Sequence, residues 1–431
     1  MKTTREDVSA VRKKVTVEVP AADVDTVFDR LVREHRRRLR LPGFRPGKAP
    51  LELVRTRLGP ELGREARDEI LRTFTREAVL REGLSPVEGG IWVELEEGQQ
   101  ELAPAVEGRD YAFTVSVEVL PEIEPKDFEG LRVERPKVAV EPEEVEQQIE
   151  ALLESRAEIV PVEDRPSRAG DMVTVEIEAA ERDGEFRLER EERTIRLGSD
   201  NNLPEFERGL TGLSVGQSFS FEVAYPEDYA GEELRGRTLQ FRGEVRQIHE
   251  TRLPELTDEL AREIADVDTV DALRERVEEV IRRSKEQEAD NAVRRQVLDR
   301  LLEANPFEVP SQLVEHELKH RLDELGRRLA MQGVNPDELE IDWEKLIAEE
   351  RGRAERTVRE LLLLDRIAET QGLAIDDDEL AEAVGRIAGE SGESPEAVRR
   401  VLADRSRREG LKKQLLRSKC VDWLVEKAHI D

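Results

Sequence analysis

Apolar residues change their period along the chain, and each change predicts a different architecture. Val11, Val15, Val17 and Val19 form a mostly alternating run closed by Pro20, which predicts a strand. Val24, Val27, Phe28, Leu31, Val32, His35 and Leu39 then recur at three- and four-residue spacing. That spacing predicts a helix over about residues 22–40, with His35 at the border of its apolar stripe. Pro50 opens a short helix ended by Gly59. Pro60 opens a longer one, through Leu62, Ala66, Ile70 and Phe74, that stops at Gly83. Two strands follow, at 91–95 and 111–119, so residues 1–120 read as a small α+β domain.

Residues 121–165 read as a linker with a strand near Leu131 and Val133 and a helix over about 142–157, whose apolar edge is Val145, Ile149 and Leu152. From 166 to 250 the period shortens to two, with strand-like runs at 173–177, 194–197, 218–223 and 239–248. From 251 to 431 the pattern is helical. One helix spans 270–304 and stops at Asn305-Pro306; another is N-capped by Ser311; others cover about 343–370, 377–387, 395–403 and 406–428. The expected class is α+β multidomain: an α+β head, a β-rich middle and an extended all-α C-terminal domain. The wide apolar faces of the last helices favour an extended body with an apolar, charge-rimmed inner surface, and a closed bundle fits the same pattern.

The segment between the first two helices, from Leu39 to Leu51, interrupts all periodicity. Pro42, Pro46 and Pro50 fix φ and remove donors, Gly43 and Gly47 permit positive φ, and Phe44 and Arg45 stand at the tip. Such a stiff loop reads either as a solvated turn or as a contact surface. Charge sharpens the second reading. The 431-residue chain carries a net −30, which argues against general affinity for nucleic acid. Yet from Arg30 to Lys48 eight cations, including Arg37 and Arg40, stand against the single acid Glu34. Helical spacing puts Arg30, Arg33, Arg37 and Arg40 on one face leading into the loop. Cys420 is the only cysteine, so no disulfide framework is expected and the thiol should pack in the last helix. No apolar run approaches the ~20 residues of a membrane span and no signal-like h-region opens the chain, so it reads as cytoplasmic, with no membrane partner.

Two motifs imitate catalytic signatures. His316-Glu317-Leu318-Lys319-His320 matches the zincin pattern H-E-x-x-H. The stripe Leu318, Leu322, Leu325 and Leu329 lies opposite both imidazoles, however, and Lys319 and Arg321 would crowd a dication. Glu338 or Glu340 would have to supply a third ligand. Gly212-Leu213-Ser214-Val215-Gly216 matches a nucleophile elbow, but a strand-like run follows it where a helix is required. The acids Asp376 to Glu379 read as a helix N-terminus. No nucleotide-binding fingerprint is present, and no cofactor or metal is expected.

Gly43-Phe44-Arg45-Pro46-Gly47-Lys48-Ala49-Pro50 resembles the ribosome-docking loop of bacterial trigger factors, usually G-F-R-x-G-K-x-P. The middle region resembles an FKBP-type prolyl isomerase at 197–207, at Gly209-Leu210 and at Tyr225-Pro-Glu-Asp-Tyr229. The C-terminal part resembles the same family at Pro254-Glu-Leu256 and 309–314. The resemblance implies an ATP-independent chaperone that docks beside the exit tunnel and binds nascent and unfolded polypeptides. It implies that Gly43, Phe44, Arg45, Pro46, Gly47 and Lys48, with Arg37 and Arg40, meet a ribosomal protein and 23S rRNA, and that the protein forms a homodimer off the ribosome. It places an isomerase pocket at Ile177, Phe186, Leu203, Phe206, Tyr229 and Phe241. Three departures predict weakened activity. The family commonly has an aromatic at Ile177 and an Asp at Glu176, and reads Met/Val-Ile-Pro-Gly-Phe/Trp where this chain has Asn202-Leu-Pro-Glu-Phe206, putting Glu205 at the pocket lip. The alternatives are an isomerase first, with delivery domains, and more remotely a zinc hydrolase.

Overall fold

The computed structural model describes residues 1–39, 42, 44, 45, 47–95, 99, 101–181, 186–199, 202–226, 234–333 and 342–431. They form two units, Met1–Arg135 with Asp290–Asp431, and Pro136–Ala289.

The first unit opens with β1 (Lys2–Asp7), β2 (Arg12–Val19), α1 (Ala21–Arg38), α2 (Leu51–Leu58), α3 (Pro60–Arg81), β3 (Pro86–Val93) and β4 (Tyr111–Val119). The strands make an antiparallel sheet in the order β1-β2-β4-β3. Alternation turns Val15, Val17 and Val19 of β2 and Phe113, Val115 and Val117 of β4 inward. Helix α1 covers that face with Val24, Val27, Phe28, Leu31 and Val32, and α3 with Leu62, Ala66, Ile70 and Phe74. Strand β1 has no apolar residue for a pattern to detect. It is an edge held by its ladder to β2 and by Lys13–Asp7 and Lys2–Glu18 pairs at 3.5 Å.

After β5 (Arg132–Val133) the second unit contains α4 (Pro142–Glu154), β6 (Glu158–Pro161), β7 (Asp171–Glu181), β8 (Arg187–Arg196), α5 (Pro204–Leu210), β9 (Ser218–Ala224), β10 (Thr238–Arg252), α6 (Asp258–Ala265) and the start of α7 (Val270–Ala304). Strand β10 is the hub: it pairs with β6, β7 and β9, and β8 pairs with β7. The sheet therefore takes in β6, inside the stretch that reads as linker. Its curled face buries Val173, Val175, Leu197, Leu210, Val223, Leu239, Val245 and Ile248. Val145 and Ile149 of α4 pack on Ala261, Leu273 and Val277.

The first unit resumes with the end of α7 and continues through α8 (Ser311–Met331), α9 (Trp343–Thr370), α10 (Asp377–Ser391), α11 (Pro395–Val401), α12 (Arg405–Lys427) and β11 (His429–Ile430). Among the described residues of this unit, the apolar faces from the end of α7 to α12 gather in three clusters rather than one. Cys420 is buried in one of them, and burial, then nearby Asp365, pushes its thiol up to about 11. It is a packing residue with little thiolate at neutral pH. Asp376 caps α10 in a reciprocal box with Glu379.

Ser311 is not the N-cap that its position suggests; Pro310 holds that place. The Ser311 hydroxyl instead donates to Glu118 Oε1 at 2.7 Å, and the Gln312 N–H donates to Oε2 at 2.9 Å. Glu118, on β4 and only 4% exposed, thus caps the start of α8 and ties the head to the helices within this unit.

Candidate functional site

Strands β7, β8 and β10 and helix α5 enclose a cavity of about 340 Å³. Alternation along β7 turns Ile177 and Ala179 to one face, where Phe241 of β10 is the register partner of Ala179. Pro204 starts α5 and swings Phe206 over that face. The Phe206 ring meets Phe241 edge-on at 4.9 Å and Phe221 at 5.4 Å. Helix α5 sits this close because residue 209 is glycine: a Cβ there would lie 2.2 Å from the Phe221 ring. Phe186 closes the wall under the Arg237 guanidinium, which lies 4.9 Å from the ring centroid.

Five of the expected pocket residues, Ile177, Phe186, Leu203, Phe206 and Phe241, line this cavity; Tyr229 lies outside the described residues. Tyr225 and Leu234 line it as well. Tyr225 begins the Tyr225-Pro-Glu-Asp-Tyr229 run and could have been read with Tyr229, whereas nothing local marks Leu234. Asn202 also lines the wall, its amide held by the Arg196 carbonyl and Glu207 Oε1, both at 2.6 Å. The expected intrusion of Glu205 is corrected: it does not line the cavity, and its carboxylate pairs with Arg208 at 2.8 Å along α5. Glu176 likewise turns to the other face, where Arg246 and Arg190 hold it. Of the departures, Ile177, Asn202 and the conservative Leu203 line the cavity, and Glu176 and Glu205 do not.

The wall is therefore apolar and aromatic, suited to a proline ring. Isomerising an X–Pro bond requires no nucleophile or base. Its barrier, about 18–20 kcal/mol, is amide resonance, and an apolar site favours the twisted, less charge-separated imide over the planar one.

Asp171 anchors the start of β7. It is 1% exposed, and Arg165 holds both its oxygens at 2.6 and 2.9 Å. The Arg168 N–H donates at 2.9 Å, and the Asp171 carbonyl accepts from Leu197 at 2.8 Å. Burial opposes the Asp171 charge, but the Arg165 hydrogen bonds, the Arg168 N–H and the two guanidinium charges together hold the carboxyl below its usual range.

In the loop after α1, Phe44 is 42% exposed and Arg45 and Lys48 are exposed. Gly47 takes φ +82° so that its N–H reaches the Arg36 carbonyl at 3.0 Å, and buried Ala49 pins the return. Gly43, Pro46 and Arg40 lie outside the described residues. The cationic face is less uniform than its spacing predicts. Arg30 pairs with Glu69 at 2.5 Å, Arg38 with Glu34 at 2.9 Å and Arg33 with Asp29 at 3.9 Å. Among the described residues Arg36, Arg37, Arg45 and Lys48 have no acidic partner, and of these Arg37, Arg45 and Lys48 are exposed, so the free charge lies around the loop itself.

His316 and His320 are both on the exposed face of α8, and Glu317 faces Arg321 at 3.7 Å. Glu338 and Glu340 lie outside the described residues. Among those described, no group of three or more His, Cys, Asp or Glu is arranged to hold a metal, and no helix is long and apolar enough to cross a membrane. Ser214 sits in an exposed turn before β9.

A family model for bacterial trigger factor protein matches residues 1–152, one for its C-terminus matches 269–426, and one for FKBP-type peptidyl-prolyl cis-trans isomerase matches 163–245. The trigger factor of Koribacter versatilis is 31% identical over 425 residues, covering 98% of this chain and 95% of that one. The trigger factor of Solibacter usitatus is 30% identical over 383 residues, 88% of each. A solved trigger factor chaperone, studied for promiscuous substrate recognition in folding and assembly, aligns over 99% of both chains with a TM-score of 0.50. At 23% identity that likeness is one of fold. The chain belongs to the trigger factor family, chaperones of nascent chains at the ribosome that carry an FKBP-type peptidyl-prolyl isomerase domain.

Proposed function

We propose that this chain works in the cytoplasm as an ATP-independent chaperone that docks beside the exit tunnel through the loop around Phe44. Residues 1–120 dock, 121–165 connect, 166–250 isomerise X–Pro bonds and 251–431 hold the client by dispersed apolar contacts. Phe44, Arg45 and Pro46, flanked by Gly43, Gly47 and Lys48, meet a ribosomal protein and 23S rRNA, with Arg37 and Arg40 on phosphates. Off the ribosome the chain pairs with a second copy. Prolyl rings enter the cavity formed by Ile177, Phe186, Leu203, Phe206 and Phe241, with Tyr229 beside it.

The observation that carries the docking assignment is the exposed Phe44 near three exposed cations without acidic partners among the described residues, Arg37, Arg45 and Lys48, on a chain of net charge −30. The aromatic wall of the cavity supports the isomerase assignment. Salt dependence tests the docking surface. Three phosphate contacts, from Arg37, Arg45 and Lys48, predict about a fortyfold loss of ribosome affinity between about 50 and about 200 mM salt, and Arg40 as a fourth raises it to on the order of a hundredfold. Cosedimentation across that range reads the slope, and an affinity that does not change with salt contradicts the assignment.

A further inference from the structure

The cavity's apolar wall ends in a charged rim. Glu189, Glu191 and Arg193 border it. The ladder between β7 and β8 slips there: Ile177 pairs with Glu191, but Ala179 pairs with Leu188. Strand β8 therefore sets two residues, Glu189 and Arg190, against Glu178 alone. A bulge of this kind re-aims side chains. Arg190 goes to the outer face and meets Glu176 at 2.8 Å. Leu188 and Glu191 share the cavity face with their partners Ala179 and Ile177, and Glu189 borders the cavity between them.

The cations nearest this rim are paired or turned outward; Arg187, exposed, stands opposite Ala180 in the register, on the outer face. Arg193 bridges Glu191. Arg237 lies over the Phe186 ring and pairs with Glu181 at 3.0 Å. Glu178 stands opposite Arg242 in the register with β10, on the outer face. Glu189 is exposed and has no ion pair among the described residues.

We infer that this rim selects X–Pro segments by charge, favouring a lysine or arginine next to the proline, with Glu189 and Glu191 as specificity-determining residues. The inference rests on the cavity being the isomerase site. With the proline ring against Phe206, a neighbouring basic side chain lays its stem along Leu188 and brings its cation to the bulge. A glutamate in the same place meets like charge. Both rim carboxylates are solvated, so the selection is modest, about three- to tenfold in kcat/KM at low salt.

The test uses the full chain and three peptides that differ only in the residue before proline: Lys, Leu or Glu. The expected Lys-to-Glu ratio of kcat/KM is about three- to tenfold at about 20 mM salt and falls toward one at about 500 mM. In E189Q/E191Q the low-salt ratio falls to near one, and E189K inverts it. A wild-type ratio of one with the Leu peptide still isomerised overturns the selection and leaves the cavity assignment standing. Failure to isomerise even the Leu peptide overturns both. A ratio in E189Q/E191Q equal to that of the wild type also overturns the selection.

Discussion

Phe206→Ala lowers the kcat/KM for isomerising a Leu–Pro peptide by about ten- to a hundredfold, equivalent to about 1.4–2.8 kcal/mol of transition-state binding. Phe206 is the side chain that α5 contributes to the cavity floor, and its ring is held against Phe241 and Phe221. Truncation removes the face on which a proline ring would rest and opens the site to water, which solvates the planar imide again. Phe206→Leu keeps apolar volume and retains part of the rate. Suppression of aggregation by the same variants stays at the wild-type level under the proposal that residues 251–431 hold the client. A refolding assay limited by proline isomerisation, run beside an aggregation assay, reads both effects. Equal loss of both activities in a folded Phe206→Ala protein supports the isomerase-first alternative.

Asp171→Asn destabilises the second unit by about 3 kcal/mol, the lower end for breaking a buried ion pair, because Glu250 still faces both guanidiniums. The substitution keeps the shape but leaves Arg165 without its buried partner at the point where β7 begins and Leu197 docks. The pH dependence follows from the sign of the shift. The Asp171 carboxyl is lowered in the folded state, so its contribution is present above the ordinary carboxylate pKa, about 3.9, and is lost as pH falls through the lower folded value. Urea unfolding at neutral pH measures the loss. Acid titration of the two proteins then shows the gap between them closing below about pH 4. A gap that persists in strong acid contradicts the ion-pair account.

The elements that were legible in the sequence are those whose burial has a period. Strands β2, β7 and β10 and helices α1 and α3 each bury one face against a single partner layer, so spacing alone marks them. Strand β1 was not legible because its stability comes from backbone pairing and charge, with nothing to bury. The parallel pairing of β11 with β5 joins residues nearly 300 positions apart, His429 with Arg132, and no local pattern encodes it. Glu118 reads as an outward polar residue on β4 until the start of α8 arrives to use it. The site divides in the same way. The aromatic wall was legible only through the resemblance to FKBP-type isomerases, which places Phe186, Phe206 and Phe241 in a pocket; period alone reads them as ordinary β-core. The rim was not, because Arg187–Arg196 is charged on both faces and only the bulge decides which acids face inward. Glu205 misled for the opposite reason. Its place in the motif points to the pocket, but the first turn of α5 directs it toward Arg208.

The central claim, that the loop around Phe44 places this chaperone on the ribosome, is tested most directly by ribosome cosedimentation of the protein with Phe44, Arg45 and Pro46 changed together to Ala. The loop is anchored from within by Ala49 and by the Gly47–Arg36 hydrogen bond, so the head keeps its fold while the contact surface is removed. The expected result is a loss of the variant from the ribosomal pellet with aggregation suppression in free solution unchanged. Undiminished cosedimentation would contradict the docking assignment.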